Sequence, residues 1–403
     1  MDSLDELAAL AETAGVEVAD KMLQERNSIN PATFIGSGKV RELGNLLADH
    51  QAHVAIFDDE LTPAQIRNLE KALKKKVIDR SSLILDIFAS RARTYEAKTQ
   101  VELAQLEYFY PRLTRQWGHL SRQEGAGVGS RGPGETQLET DRRLIRKKIG
   151  KLKADLKKIE KQRGVRRKKR EAFKQIALVG YTNVGKSTLM NVITSADAYV
   201  ENQLFATLDA TIRSFDTENG PALLIDTVGF IRKLPHHLVA SFRSTLEESI
   251  EADLLLHVVD VSHPNYEDQI EAVEDVLRDL NVHEKPSITV FNKVDALEDR
   301  QLLKTLKRKY DPVAFTSAMK GLGIEALRKE VVRQLNLVQT NQKIEIPIQE
   351  TKKIAQIYTL CQVVSCEYED DMAHLIVRMK DEQKGQIEKL LSSIKREEGN
   401  NSQ

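Results

Sequence analysis

Gly180-Tyr181-Thr182-Asn183-Val184-Gly185-Lys186-Ser187-Thr188 decides the reading of this chain. The stretch follows Ile176-Ala-Leu-Val179, an apolar run of buried-strand type, and leads into Leu189-Met-Asn-Val-Ile193, a helix pattern. Strand, glycine-rich turn, Lys-Ser and helix is the order of a P-loop. Glycine lets the backbone curl until successive N–H groups point at a phosphate chain. Lys186 is then expected to reach the β- and γ-phosphates, and Ser187 to offer a hydroxyl to Mg²⁺. All nine residues from Gly180 to Thr188 are expected nucleotide neighbours.

Further motifs follow at the ends of other apolar runs. Asp226-Thr-Val-Gly229 closes Ala222–Ile225. Asp226 is expected in the Mg²⁺ shell, and Gly229 to bring a backbone N–H to the γ-phosphate. Asn292-Lys293-Val294-Asp295 closes Ile288–Phe291. A carboxylate at Asp295 can accept both N1–H and the amino N–H of guanine. Adenine lacks that donor pair, so the nucleotide is expected to be GTP or GDP. Ser317-Ala318 is placed to offer a backbone N–H to the guanine O6. Each motif is weak alone, and their order makes the set specific.

Leu204-Phe-Ala-Thr207-Leu-Asp209 lies between the P-loop and Asp226. Thr207 is the first candidate for a switch threonine that joins Ser187 and Asp226 on Mg²⁺, and Thr211 is the second. Such segments order and relax with the nucleotide state. Lys186, Thr207 and Gly229 are therefore the candidate catalytic residues. After Gly229 stands Phe230, where Ras-like proteins carry Gln. A Phe cannot orient the attacking water. Slow intrinsic turnover, accelerated by a partner, is the expectation.

The chain has 403 residues, enough for two to three domains. Its two cysteines, Cys361 and Cys366, do not make a disulfide framework, which suits a reducing compartment. No apolar run reaches the roughly 20 residues of a membrane span, and the acidic N-terminus does not resemble a signal peptide. The expected location is the cytoplasm, and a monomer is the expected state.

Lys plus Arg equals Asp plus Glu, yet the balance hides a local excess. From Arg142 to Lys174 there are 17 basic residues against three acidic ones, a net charge of +14. In the same region Leu138, Ile145, Ile149, Leu152, Leu156 and Ile159 form a heptad-type stripe. Before it, Gly125-Ala-Gly127-Val-Gly129-Ser-Arg131-Gly132-Pro133-Gly134 is a glycine-rich turn, itself preceded by a helical pattern over Val101–Leu113. The reading is an antiparallel helical hairpin with a tip loop at 125–134. Gly127–Gly132 fits G-x-G-x-x-G, but without a preceding strand the dinucleotide reading fails. Like charges four apart on a helix repel, so the unpaired Lys and Arg suit a polyphosphate partner better than a solvated face. Expected contacts to RNA are Arg122, Gly127, Gly129, Arg131, Gly132 and Gly134 at the tip, with Arg142, Arg143, Arg146, Lys147 and Lys151 along the arm. Trp117 reads as a packing anchor. His236 and His237 read as structural neighbours of the second switch.

The expected architecture is α/β throughout. Residues 1–98 form an N-terminal α/β unit and 99–172 the hairpin. Residues 173–338 form a P-loop GTPase domain with a mostly parallel sheet flanked by helices, and 339–403 a small α+β unit. Within the first unit, Thr62 and Pro63 signal a helix start, and Val16–Leu23 is a strand candidate.

With these residues in view, the chain resembles the HflX family of translation-associated GTPases, within the Obg-like group. The most specific stretch is Gly129-Ser-Arg-Gly-Pro-Gly-Glu-Thr-Gln-Leu-Glu-Thr-Asp-Arg-Arg143. Phe34-Ile-Gly-Ser-Gly-Lys39, Asp59-Glu-Leu-Thr-Pro-Ala-Gln65, Gln100-Val-Glu-Leu-Ala-Gln-Leu106 and Leu204–Asp209 also match, and Phe230 fits a group with a hydrophobic residue there. Ala210 stands where the family usually has Pro, which bears on loop stiffness. The resemblance implies binding to the large ribosomal subunit and its RNA, with the hairpin reaching toward the peptidyl-transferase centre. It further implies splitting of stalled or idle ribosomes under heat or antibiotic stress. A ribosome-assembly GTPase acting on immature large subunits, and an RNA-remodelling or antibiotic-protection factor whose release GTP times, stay open as alternatives.

Overall fold

The computed structural model describes residues 2–25, 28–114, 133–170, 173–195, 204–217, 220–233, 250–337, 340–369, 371–379, 385–387 and 389–391. Trp117, Arg122, Gly127, Gly129, Arg131, Gly132, His236 and His237 lie outside them.

A six-stranded sheet forms the centre. Its strands are β3 (Lys174–Gly180), β4 (Thr211–Thr217), β5 (Gly220–Asp226), β6 (Leu254–Asp260), β7 (Ser287–Asn292) and β8 (Val313–Phe315). Their order is β4-β5-β3-β6-β7-β8, and every pair is parallel except β4 with β5. Parallel strands covered on both faces read as continuous apolar runs, which is why β3 and β6 were legible: both are buried along nearly their whole length. Because β3 is central, its carboxyl end opens at the middle of the sheet, with Leu178 opposite Asp226 and Gly180 opposite Val258. Open α/β sheets bind ligands beyond the carboxyl ends of their strands.

Residues before Arg91 build α1 (Asp2–Thr13), α2 (Ser37–Asp49), α3 (Pro63–Leu73) and α4 (Arg80–Arg91) around a parallel pair, β1 (Val54–Phe57) and β2 (Lys76–Asp79). Thr62 closes a capping box with Gln65 at the start of α3, and Pro63 takes the first helical position. Val16–Leu23 forms no strand: the segment carries Glu17, Asp20 and Lys21, and no strand among the described residues pairs with it. Two separate cores serve this region. Val40, Leu47, Phe57, Leu69 and Val77 pack around the β1–β2 pair. Leu10, Ile84 and Phe88 instead join the cluster that contains Ile176 and Leu178 of β3. Helices α1 and α4 are thus packed continuously with the central sheet.

The hairpin's first helix, α5, runs Tyr95–Phe109 with Thr94 as its N-cap, so residue 98 falls inside it. The second, α6, is one helix over Pro133–Arg170. Gly134 is therefore helical and not part of the tip loop, because Pro133 is pre-organised for a first helical turn. Along α6 the stripe residues Ile145, Ile149, Leu156 and Ile159 are half-buried and Leu152 is buried. Arg146 bonds Tyr110, Lys153 meets Glu107 at 2.8 Å, and Arg163 meets Glu96 at 2.8 Å. From Tyr110 with Arg146 at one end to Glu96 with Arg163 at the other, the two arms run antiparallel. Lys148 also pairs with Glu102. Helix α5 thus offsets part of the arm's charge, and Arg146, expected to face RNA, sits over the Tyr110 ring. Arg143, Lys147 and Lys151 are exposed, and Arg142 is half-buried.

The last unit is an antiparallel sheet ordered β10 (Gln362–Glu369), β11 (Met372–Met379), β9 (Thr340–Pro347), with its own core of Ile344, Ile357, Leu375 and Val377. Cys361 is buried in it and Cys366 half-buried, both as free thiols. No helix among the described residues is long and apolar enough to cross a membrane.

Candidate nucleotide site

The P-loop leaves β3 at Gly180 and enters α7 (Lys186–Ile193) through Gly185, the helix N-cap. Gly185 has φ 94°, and a Cβ there would lie 2.5 Å from Asn292 Nδ2. Only glycine fits both the left-handed backbone and the close approach. A helix N-terminus at the end of a central strand presents unbonded N–H groups and a positive dipole end, the requirements for binding phosphate.

Lys186 is buried and donates to the carbonyls of Gly180 at 3.1 Å and Tyr181 at 2.8 Å. Burial lowers its pKa to about 8, with Asp226 opposing. Behind it stands the corner where the sequence expects Mg²⁺. Ser187 Oγ lies 2.6 Å from Asp226 Oδ2, Thr207 Oγ1 lies 3.1 Å from that same oxygen, and the two hydroxyls are 2.8 Å apart. Asp226 is 2% exposed, and its other oxygen, Oδ1, has no hydrogen-bond partner among the described residues. Burial pushes its carboxyl above the usual carboxylate range, offset in part by Lys186 and the two hydroxyls. One carboxylate, with an oxygen left unsatisfied, and two hydroxyls form the hard-oxygen set that suits Mg²⁺ shared with phosphates. Of the two switch candidates, Thr207 reaches this corner, while Thr211 begins β4 opposite Asp226.

Gly229 packs on the P-loop. Thr182 N–H donates to Phe230 O at 2.7 Å, and Phe230 N–H donates to Gly180 O at 3.1 Å. The Phe230 side chain is buried. On the base side, Asn292 acts as a strut. Its Nδ2 donates to Val184 O at 2.9 Å, and its Oδ1 accepts from Ala318 N–H at 3.0 Å and Thr316 Oγ1 at 3.2 Å. Lys293 lies across the loop, donating to Asn183 O at 3.0 Å and pairing with Asp260 at 2.7 Å. Asp295 is exposed in the short turn Val294–Ala296. Ser317 N–H donates to Leu322 O at 3.0 Å, so both N–H groups of Ser317-Ala318 are bonded inside the protein. Thr188, half-buried, fills the first turn of α7.

Sequence reasoning missed a charged network beside the P-loop. Tyr181 donates its hydroxyl to Glu6 at 2.7 Å and accepts the N–H of Arg232 at 2.8 Å. Burial, and then Glu6, push its pKa far above the usual phenol value. Glu6 meets buried Arg80 at 3.1 Å, and Arg80 meets Asp58 at 2.7 Å. Lys233 completes it, 2.6 Å from Asp58 and 2.7 Å from Asp59. No local pattern announces this set, since partners in direct contact are up to 175 residues apart.

His257 of β6 stands beside Val179 and is buried. Burial, and secondarily the Lys186 charge, lower its pKa from 6.5 to about 4. The unfolded chain therefore takes up a proton that the folded one refuses between pH 6.5 and 4, and stability falls as pH drops through that window. Between pH 7 and pH 5 this costs about 2 kcal/mol. Urea unfolding of the wild type and His257→Gln at the two pH values should differ by that amount. Equal pH dependence would mean that the imidazole is not held neutral.

The family comparisons agree with this geometry. Residues 1–89 match the model described as GTP-binding GTPase N-terminal, 91–170 that of the GTP-binding GTPase middle region, and 175–293 that of the 50S ribosome-binding GTPase. The GTPase HflX of Flavobacterium psychrophilum is 55% identical over 73% of this chain and 71% of its own length. That of Magnetococcus marinus is 46% identical over 93% of this chain and 88% of its own. Among solved structures, a GTP-binding protein from Sulfolobus solfataricus in complex with GDP is 26% identical, covers 83% of this chain and 96% of its own, and gives a TM-score of 0.44. With this identity running across the N-terminal unit, the arm and the P-loop alike, the chain belongs to the HflX family and is a GTP hydrolase.

Proposed function

We propose that this GTPase is a cytoplasmic factor that binds the large ribosomal subunit and separates stalled or idle ribosomes into subunits. The observation that carries the reading is α6. It is a helix of 38 residues, about 57 Å long at 1.5 Å per residue, exposing Arg143, Lys147 and Lys151 on an arm rooted beside the switch region. Such an arm suits a phosphate-rich surface and can occupy space that a joined ribosome needs. Ser187, Thr207 and Asp226 would hold Mg²⁺, which when bound supplies charge to the phosphate oxygens. Lys186 orients the phosphates, Gly229 brings its N–H to the γ-phosphate, and Asp295 selects guanine. With Phe230 buried and no Gln after Gly229, the water-orienting group comes from elsewhere, and the bound ribosomal particle is where it is supplied. GTP orders the switches and favours the form that fits the large subunit, so binding differences between the two states do the work.

The test is GTP turnover by the purified chain alone and with large subunits, small subunits or joined ribosomes at fixed salt, with light scattering to follow splitting. Large subunits should raise the rate by about 1,000-fold, the lower end of the range for supplied catalytic groups. Non-hydrolysable GTP should suffice for splitting. A Lys147→Glu, Lys151→Glu variant should lower RNA affinity and flatten its salt dependence by about one to two phosphate contacts. If no ribosomal particle changes the rate, the proposal fails.

A further inference from the structure

Thr207 is held at the Ser187–Asp226 corner by a segment that the helical unit grips on both sides. Two residues before it, Phe205 is 2% exposed and meets Phe88 of α4 edge-on, ring centroids 4.7 Å apart. Its N–H donates to Thr182 Oγ1 at 2.9 Å. Two residues after it, Asp209 reaches the junction between α4 and α5. Asp209 Oδ2 accepts from the N–H groups of Arg93 and Thr94, each at 3.2 Å, and Oδ1 accepts the Thr94 hydroxyl proton. Thr94 is the N-cap of α5, and its hydroxyl oxygen accepts Ala97 N–H at 3.1 Å. One carboxylate from the switch segment therefore ties up three donors at the root of the arm.

We propose that Asp209 is a positioning residue for GTP hydrolysis: by gripping the α4–α5 junction it seats Thr207 against Ser187 and Asp226. The span between Asp209 and Thr207 is two residues, about 7 Å of extended chain, so the two cannot move independently. Helix α5 packs against α6 along the hairpin. The seat of the switch threonine is consequently part of the arm's base, and a shift of the arm is felt at the phosphate side of the site. This inference needs only the GTPase activity. It stands whether or not the arm's partner is ribosomal.

An alternative role for Asp209 is to cap α5 and nothing more. Asp209→Ala, Thr94→Ala and the double variant, all in the full chain, separate the two. Positioning predicts that Asp209→Ala lowers single-turnover kcat about tenfold, a fraction of what a full 1 Å misplacement costs. It should raise the Mg²⁺ concentration for half-maximal turnover, while GDP affinity stays within about twofold because Thr207 serves only the triphosphate state. Thr94→Ala should do likewise, and the double variant should be no slower than the slower single, as coupled residues are non-additive. Asp209→Asn keeps one acceptor oxygen and should fall between. Amide exchange at Thr94 should be slower with a non-hydrolysable GTP than with GDP in the wild type, and indifferent to the nucleotide in Asp209→Ala. The proposal is overturned if kcat is unchanged, if GDP affinity falls in step with kcat, or if the two substitutions multiply. Should Asp209→Ala fail to fold, Asp209→Asn carries the same comparison.

Discussion

Gly229→Ala should nearly abolish GTP turnover while leaving GDP bound. A Cβ on Gly229 would lie 2.7 Å from Thr182 Cα and 3.0 Å from Lys186 Nζ. The first neighbour is backbone and cannot yield, because Thr182 N–H is bonded to Phe230 O and Gly180 O to Phe230 N–H. The second is the ammonium expected to serve the phosphates. The added methyl must therefore lift the Gly229–Phe230 segment off the P-loop and displace the N–H expected to meet the γ-phosphate. A displacement of this size costs about 100-fold or more in kcat. GDP affinity should stay within about threefold, because Asn292, Lys293 and Asp295 lie on the other side of the loop. Single-turnover hydrolysis and a fluorescent-GDP titration check both halves. Native turnover in this variant would show that the Gly229 N–H has no part in the reaction.

The P-loop was legible because its signal is local: a buried strand, a tight turn and a helix start occur in direct succession. Thr207 was legible only in part. The sequence placed it in a switch segment beside Thr211, and the choice needed the fold, in which Thr211 is committed to pairing with Asp226 in β4. The roles of Asn292 and Ala318 were beyond a motif reading. Both were read as nucleotide contacts, and the structure adds that the Asn292 amide joins Val184, Thr316 and Ala318 across three loops. A residue's immediate neighbours carry no trace of such closure. The same holds for Glu6, Asp58 and Arg80. Charged residues read as surface by default, and only the meeting of α1, α4 and the P-loop encloses them. The root of the hairpin was misjudged for a different reason. Hydrophobic spacing pointed to Val101 onward, while the helix begins at Tyr95, where the cue is polar capping by Thr94.

Asp295→Asn should move nucleotide preference from guanine to xanthine. The carboxylate is exposed on the turn after β7 and makes no contribution to the core, so the variant should fold and melt like the wild type. Guanine presents two donors on one edge, N1–H and the 2-amino group, and a carboxylate accepts both. The amide keeps one acceptor and replaces the other with an N–H₂ donor, which opposes the amino group of guanine. Xanthine carries a carbonyl at that position and retains N1–H, so donor and acceptor match again. One charge-assisted bond is lost and a donor is set against a donor, together costing about 3 to 4 kcal/mol, or two to three powers of ten in GTP affinity. Sites built to hydrogen-bond a substrate reject mismatched analogues at this level or beyond. XTP affinity should rise by a comparable factor. Turnover at saturating XTP should stay near that of the wild type with GTP, because Lys186, Thr207 and Gly229 are untouched and the phosphates do not sense the base edge. Competition titrations with GTP and XTP decide the matter. Unchanged GTP affinity would remove Asp295 from the base site, and Lys293, stretched between Asn183 and Asp260, would then account for no more than the shape of the loop.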